Sequence, residues 1–393
     1  MITVEEAKDL VDQNIHILDS EIVSISASLG RVLASDVFSK IDIPGYPQSA
    51  MDGYAVNAVG DITKGDSFKV VAEVQAGDTN SYEIEPGEAT RIFTGAPMPN
   101  GGNTIVIQEI VSVTDDVITV AKAVKNGANL RERGEQIMTG DTGLQKGTEI
   151  NPAGIGFLAM MGYDKVKVYK QPIIHVVVTG NELVQPGTEL KHGQIYESNS
   201  VALVAAFKQY GYEVDKIHFA IDTYEDTYNT LNSALKDADV VIASGGISVG
   251  DYDFVGKAFR DLGVEEIFYK VKQKPGKPLF FAKKENTAVF ALPGNPASAL
   301  TGLYQYVLPS INKMSGHGYE GLKTAMLPLI GGYSKKGTRA QYLKGFLTPH
   351  GVEILEGQSS AMMHTYAITN ALIYIPWDKP ETADREEVLV YLM

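Results

Sequence analysis

The chain has 393 residues, 44% of them hydrophobic and 21% charged, and this ordinary composition excludes collagen, extended coiled coils and wholesale disorder. It contains no cysteine, which excludes disulfides, thiolate metal sites and cysteine nucleophiles. The formal charge of −14 argues against binding to nucleic acid or anionic lipid, so any anionic ligand must find a local basic pocket.

The first 171 residues are predicted to form a mixed helical domain with a small β module inserted in it. Thr3 and Glu6 make a capping-box pattern at the start of an amphipathic helix that extends to Leu18. Short strands separated by turn residues follow, and a second helix is predicted at residues 153–161. We therefore expect a discontinuous helical/mixed domain over residues 1–43 and 134–171, and a small β module over residues 44–133.

From residue 172 to 316, strand patterns alternate with helix patterns, which is typical of a doubly wound, mainly parallel sheet. Strands are predicted at residues 173–180, 213–220, 238–246, 279–282 and 287–292, and helices at residues 198–210, 224–236, 253–262 and 295–311. After residue 316 only strand patterns remain, so residues 317–393 are predicted to form a C-terminal β domain. The fold class is thus α/β multidomain.

The sequence predicts where the chain resides. Its first residues lack the basic and apolar pattern of a signal peptide, and no apolar run reaches the ~18 residues of a membrane span. We expect a cytoplasmic protein that contacts no membrane.

Unusual polar residues follow several predicted strands, at the edge where open α/β sheets bind ligands. The stretch SGGISVGDYDF, residues 244–254, supplies glycines and hydroxyls whose neighbouring N–H groups can surround an oxyanion: Gly245, Gly246, Ser248 and Gly250. An ordinary turn is the alternative interpretation. Carboxylates occur at the same edge and suit Mg²⁺, although each could instead be a helix cap or a loop charge: Glu182, Asp222, Asp251 and Asp253.

Basic residues concentrate in VKQKPGKP, residues 271–278, where Lys272, Lys274 and Lys277 flank a proline and a glycine. Such a restricted loop can hold ammonium groups against a tetrahedral anion, although a solvated basic loop is equally plausible from the lysines alone. The stretch LPGNPAS is a rigid turn into a helix that contributes Pro293, Gly294, Asn295, Pro296 and Ser298.

Further candidates lie outside the α/β domain. Arg339 and the hydroxyl pair Ser359 and Ser360 are able oxyanion binders, although surface loops commonly carry such residues. Asp52 in SAMDGYA and Thr94 in RIFTGAPMP stand in turn-like contexts, and taken alone each stretch favours a turn. No nucleophile and histidine pairing is evident, so the pattern favours metal-assisted phosphoryl or adenylyl chemistry.

These motifs, in this order, resemble the molybdopterin molybdotransferases, the molybdenum insertases of molybdenum cofactor biosynthesis, which include the E domain of gephyrin. The matching segments are SAMDGYA, IFTGAPMP, residues 131–135, TGNEL, SGGISVGDYDF, KPGKP, LPGNPAS and GQSSAM. Gln136 replaces a common acidic residue, and Ala361 replaces a common glycine. The resemblance covers residues 40–365, and eight ordered motifs are specific although each alone is weak.

The resemblance implies the reaction and the residues that serve it. Molybdate and adenylylated molybdopterin would be the substrates, and molybdenum cofactor and AMP the products. Molybdate would be held by Lys274, Lys277, Ser298, Arg339 and one serine of the Ser359/Ser360 pair. Glu182 and Asp253 would engage Mg²⁺ and the pyrophosphate, Asp222 would support them, and Pro293 and Pro296 would shape the wall.

The resemblance also implies partners. Family members are elongated homodimers with interfacial sites, so Asp52 and Thr94 would come from the β module of the second subunit. A contact with the molybdopterin adenylyltransferase of the pathway is a further possibility. Two alternatives remain: an adenylyltransferase that shares the doubly wound domain, and a non-catalytic scaffold like gephyrin. The added β domains argue against the first, and the retained lysines and carboxylates against the second.

Overall fold

The computed structural model describes residues 1–247 and 254–393, which divide into two compact units. The first unit comprises Met1–Glu21, Gly30–Ala34 and Lys167–Met393, and the second comprises Ile22–Leu29 and Ser35–Val166. This division is coarser than the four predicted domains, whose boundaries stay a prediction. The predicted site residues that lie outside the described residues are Ser248, Gly250, Asp251 and Asp253.

The second unit is built around a six-stranded sheet over a core of valines, isoleucines and alanines. The strands lie in the order Thr104–Ile107, Gly53–Val56, Glu88–Ile92, Ser67–Val74, Val117–Val120 and Val111–Thr114. The strand Gly53–Val56 begins directly after Asp52, in a stretch where the sequence favoured a turn. It pairs on both sides, and this pairing, which is invisible in a local pattern, overrides the turn preference.

The remaining elements of this part of the chain are short. The helix Pro152–Met160 confirms the predicted second helix and begins with the Asn151 side chain accepting from the Gly154 N–H. Paired two- and three-residue strands lie at Val37–Phe38, Gln48–Ser49, Leu130–Arg131 and Thr142–Leu144. The strands Ser20–Ser24 and Lys165–Tyr169 lie where the chain passes from one unit to the other in sequence.

The first unit contains the predicted doubly wound sheet. Its strands lie in the order Lys216–Ala220, Ile174–Thr179, Val240–Ser244, Thr287–Leu292, Phe280–Lys284 and Glu265–Tyr269. The first four strands are parallel. Phe280–Lys284 runs antiparallel to both of its neighbours, so Glu265–Tyr269 runs in the same direction as the first four strands. The edge strand Glu265–Tyr269 was not predicted, because its alternating pattern is short and partly charged.

Alternate residues of the central strands face two different cores. Val176 and Ile242 pack with the helices Val4–Asn14, Asn199–Gln209 and Leu308–Met314, whereas Val177 and Val241 pack with the helices Tyr224–Ala234 and Phe254–Asp261. A sheet covered by helices on both faces needs apolar residues on both faces, which explains the run IIHVVV, in which His175 is the one polar residue and is itself buried.

The helix predicted over residues 295–311 is one helical run with a changed middle turn. It comprises Pro296–Gly302, a π-helical stretch Leu303–Val307, and Leu308–Met314. Within the described ranges, no helix has the length and apolar character required to cross a membrane.

The C-terminal β domain closes into a barrel-like sheet. Its pairing runs through Gln273–Lys274, Ala340–Thr348, Gly351–Ile354, Thr324–Ile330, Glu387–Leu392 and Ala371–Ile375, and the last strand pairs back to the second. The helix Met363–Ile368 and the short strands Leu183–Val184, Ile195–Tyr196, Tyr333–Ser334 and Glu381–Thr382 complete the unit. The parallel pairing of Gln273–Lys274 with Ala340 and Gln341 places residues 274–278, here called the lysine loop, beside Arg339.

Candidate active site

A cavity of about 1080 Å³ opens at the carboxyl ends of the parallel strands, where ligands bind in sheets of this topology. The loops after Ile174–Thr179, Val240–Ser244 and Thr287–Leu292 form one side, and loops of the C-terminal barrel form another. Fourteen of the predicted site residues line it: Glu182, Asp222, Gly245, Gly246, Lys274, Lys277, Pro293, Gly294, Asn295, Pro296, Ser298, Arg339, Ser359 and Ser360.

One end of the cavity is cationic. Lys274 and Lys277 come from the loop at residues 274–278, and the Arg339 Nη1 donates to the Gln273 carbonyl over 3.3 Å. None of these three cations forms an ion pair with a carboxylate of the described residues. Because their charge is not offset by a described partner, they favour an anion in the cavity.

A buried glutamine holds the lysine loop in shape. The Gln273 side chain is fully buried, donates to the Gly276 carbonyl over 3.2 Å and accepts from the Tyr306 hydroxyl over 2.5 Å. Gly276 has a φ of +78°, and a Cβ there would lie 3.1 Å from the Gln273 amide nitrogen. The loop thus requires glycine at this position, because the positive φ and the buried amide both disfavour a side chain.

The two glycines after the strand Val240–Ser244 are closely packed. A Cβ on Gly245 would lie 2.7 Å from the Thr179 carbonyl oxygen, and a Cβ on Gly246 would lie 2.7 Å from a Val255 side-chain carbon. Both residues have a positive φ. The backbone therefore approaches the cavity without side chains of its own, as an oxyanion-binding turn requires.

The other end of the cavity is acidic. Glu182 is exposed there and Asp222 is half-buried. Asp222 is fixed by a reciprocal pair of hydrogen bonds with Asn181, in which the backbone N–H of each residue donates to the side chain of the other. The described residues contain no group of three or more His, Asp or Glu arranged to hold a metal. Two carboxylates in an open cavity nevertheless fit a magnesium ion, which prefers oxygen ligands and retains several waters.

Asp52 and Thr94 lie together in the second unit and are not among the residues that line the cavity. The Thr94 N–H and hydroxyl both donate to the same Asp52 carboxylate oxygen over 2.8 Å. These bonds lower the pKa of the Asp52 carboxyl below its ordinary value and keep it anionic.

Asn199 is a site residue that sequence reasoning missed. Its side-chain amide donates to the Ser244 hydroxyl over 2.9 Å and to the Gly294 carbonyl over 2.8 Å. It therefore connects the glycine turn to the LPGNPAS turn. The signal was an asparagine at the start of a predicted helix, but a sequence pattern cannot separate such a bridge from an ordinary helix cap.

The chain is similar to known proteins over most of its length. Residues 2–162 match the family described as MoeA N-terminal region (domain I and II), and residues 175–313 match a probable molybdopterin binding domain. The molybdopterin molybdenumtransferase of Staphylococcus epidermidis is 32% identical over 95% of this chain and 91% of its own length, and that of Nostoc sp. is 36% identical over 95% and 88%. A crystal structure of the molybdopterin biosynthesis MoeA protein from Pyrococcus horikoshii superposes with a TM-score of 0.84 at 29% identity and covers 100% of this chain and 99% of that one.

Proposed function

The chain belongs to the MoeA family of molybdopterin molybdenumtransferases, and on this premise we propose that its cavity joins molybdate to adenylylated molybdopterin with release of AMP. The family identifies it as a transferase of molybdenum cofactor biosynthesis. The observation that supports the finer proposal is that one cavity contains three cations without an ion pair to a described carboxylate, together with the carboxylates of Glu182 and Asp222.

Molybdate is assigned to the cationic end. Lys274, Lys277 and Arg339 supply positive charge, and the buried Ser298 hydroxyl and the Ser359/Ser360 pair supply hydrogen bonds. Ammonium groups act as point charges, whereas the planar guanidinium of Arg339 can donate two parallel hydrogen bonds to one oxyanion. A tetrahedral dianion suits this combination of donors.

The pyrophosphate of the adenylylated substrate is assigned to the turn at Gly245 and Gly246 and to the acidic end. Glu182 would bind Mg²⁺, and Asp222 would support that site. We assign Asp253 as a further ligand of the ion from the sequence alone. Magnesium supplies positive charge that offsets the oxygens of the phosphoanhydride and the nearby carboxylates. Asn199 would keep the glycine turn and the Pro293–Pro296 wall in register through its two hydrogen bonds.

The residues of the cavity favour electrostatic catalysis over a covalent enzyme intermediate. The chain has no cysteine, and no histidine occurs among the described residues that line the cavity. The bond that breaks is the phosphoanhydride, and the oxygen that replaces AMP on the remaining phosphate comes from molybdate or from water. Lys274 and Lys277 would offset the repulsion between molybdate and phosphate, which amounts to several kcal/mol at protein-like dielectric.

We further propose that the working form is a homodimer in which Asp52 and Thr94 of the second subunit complete the site. The ionised, threonine-bound Asp52 supports a role at a charged ligand. Direct contact with the adenylyltransferase that makes the substrate is part of the same proposal, because it would spare the intermediate from dilution.

The experiment is a turnover assay of the purified protein. Adenylylated molybdopterin with molybdate and Mg²⁺ should release AMP, and omission of molybdate should abolish the release. Molybdopterin with ATP is the control for the adenylyltransferase alternative and should give no product. AMP release that is independent of molybdate, or adenylylation in the control, would contradict the proposal.

A further inference from the structure

A lysine that takes no place in the proposed chemistry lies under the serines of the cavity. Lys344 is on the strand Ala340–Thr348 and is only 4% exposed. Its Nζ donates to the carbonyls of Gly357, Ser359 and Met362 over 2.7, 3.2 and 3.1 Å. Buried lysines are rare unless paired, and here the three partners are backbone carbonyls of one loop.

That loop, residues 357–362, is here called the serine loop. Its Ser359 and Ser360 line the cavity, and its Gln358 joins it to Lys344 a second time. The Gln358 side chain accepts from the Lys344 N–H over 2.9 Å and donates to the Lys344 carbonyl over 2.8 Å. Lys344 therefore holds the serine loop in place with hydrogen bonds from its side chain and from its backbone.

Peptide geometry fixes what the loop presents to the cavity. In a trans peptide the C=O and the following N–H point in opposite directions. Because the Ser359 carbonyl points at Lys344, the Ser360 N–H points away from it. The Ser360 hydroxyl lies 3.3 Å from the Asn295 Nδ2, at the LPGNPAS turn on the cavity wall. Ser360 thus combines a hydroxyl at the wall with an N–H turned away from the lysine.

We propose that Lys344 is a positioning residue for the anion site: by drawing three carbonyls inward, it turns the donors of Ser360 toward the bound oxyanion. The inference rests on the proposed function, since it takes molybdate as the anion. It also assigns the oxyanion contact to Ser360 of the serine pair. Burial lowers the pKa of Lys344, but its three carbonyl partners favour the protonated ammonium, which adds positive charge beneath the loop.

The chain offers a matched control in Lys335. It is likewise buried, and its Nζ donates to two backbone carbonyls, those of Pro376 and Trp377, which do not line the cavity. Substitution of either lysine by methionine removes a buried donor from backbone carbonyls and should lower stability. Only the Lys344 change should also alter the anion site.

The test measures the calorimetric Kd for molybdate, together with Tm and the two KM values, in the full-length protein. We expect Lys344→Met to raise the Kd and KM for molybdate about tenfold or more, with the KM for adenylylated molybdopterin within about twofold of wild type. Lys344→Arg, which keeps the charge and the donors, should recover much of the affinity. Lys335→Met should lower Tm and leave molybdate binding unchanged.

The outcomes separate this inference from the proposed function. Wild-type affinity for molybdate in Lys344→Met, or an equal loss in Lys335→Met, would overturn the role of Lys344 while leaving the proposed function in place. Failure of the wild-type protein to bind molybdate would overturn both. Should Lys344→Met not fold, Lys344→Gln, which keeps one donor, takes its place and is judged by the same measurements.

Discussion

At the scale of single residues, the site depends on which charges have partners and which do not. Lys274, Lys277 and Arg339 line the cavity without an ion pair to a described carboxylate, whereas Lys344 is a lysine saturated by backbone carbonyls. Residue type alone does not separate these cases. The sequence could select the lysines flanking Pro275 and Gly276, but Lys344 gave no signal because burial is a property of the fold.

Replacement of Lys277 by alanine should impair molybdate binding more than binding of the nucleotide substrate. A hydrogen bond to a charged group contributes about 1.5–3 kcal/mol, so the KM for molybdate should rise roughly 10- to 100-fold. Molybdate-dependent AMP release is the measurement. Lys236→Ala, which removes an exposed lysine outside the cavity, is the control and should behave as wild type. An equal loss of affinity for both substrates would contradict the role of Lys277.

At the scale of elements, two turns decide whether the site forms. The lysine loop depends on Gly276 and the buried Gln273 side chain, and the glycine turn depends on Gly245 and Gly246. The sequence predicted that these segments were turns at a sheet edge. It could not show which contacts make glycine obligatory, because Gly245 meets the distant strand Ile174–Thr179, and the Gln273 amide beside Gly276 is held by the distant Tyr306 hydroxyl.

Gly276→Ala should separate loop geometry from stability. The new Cβ would meet the Gln273 amide nitrogen at 3.1 Å in a backbone with φ +78°, so the loop must shift and the KM for molybdate should rise at least about fivefold. Gly263 has a similar φ of +74° but open space around it, so Gly263→Ala is the matched control for backbone strain. Both should lower Tm, and a rise in KM in both variants would count against the loop argument.

The N-terminal helix carries a prediction about pH. Lys8 donates to Gln305 and to the Tyr391 hydroxyl over 2.9 Å, and burial lowers the pKa of its ammonium to about 8. Between pH 8 and the unfolded value of 10.5, the unfolded chain binds this proton and the folded chain does not, so Lys8 makes stability rise with pH in that interval. The rise is limited to about 3 kcal/mol.

The measurement is the free energy of unfolding of wild type and Lys8→Met from pH 7.5 to 10. The free energy of unfolding of wild type minus that of Lys8→Met should increase with pH, because Lys8→Met lacks the titrating group. A difference that stays constant across this interval would contradict the account of Lys8.

At the scale of the whole molecule, the sequence predicted the fold class and the family better than the pairing of distant strands. The α/β multidomain class and the insertase family are confirmed. The strand Gly53–Val56 was taken for a turn because its glycine and flanking residues are local turn formers, whereas its pairing partners lie about 40 and 50 residues later. A helix over residues 295–311 was predicted, whereas the helical run extends from Pro296 to Met314 and has a π-helical middle that was not predicted.

The central claim is that the cationic end of the cavity binds a tetrahedral oxometalate. Its most direct test is anomalous diffraction from crystals of the protein soaked in saturating tungstate, because tungsten gives a strong signal at a single position. We predict one dominant peak within hydrogen-bonding reach of Lys274, Lys277 and Arg339. A peak elsewhere, or none near these side chains, would contradict the account.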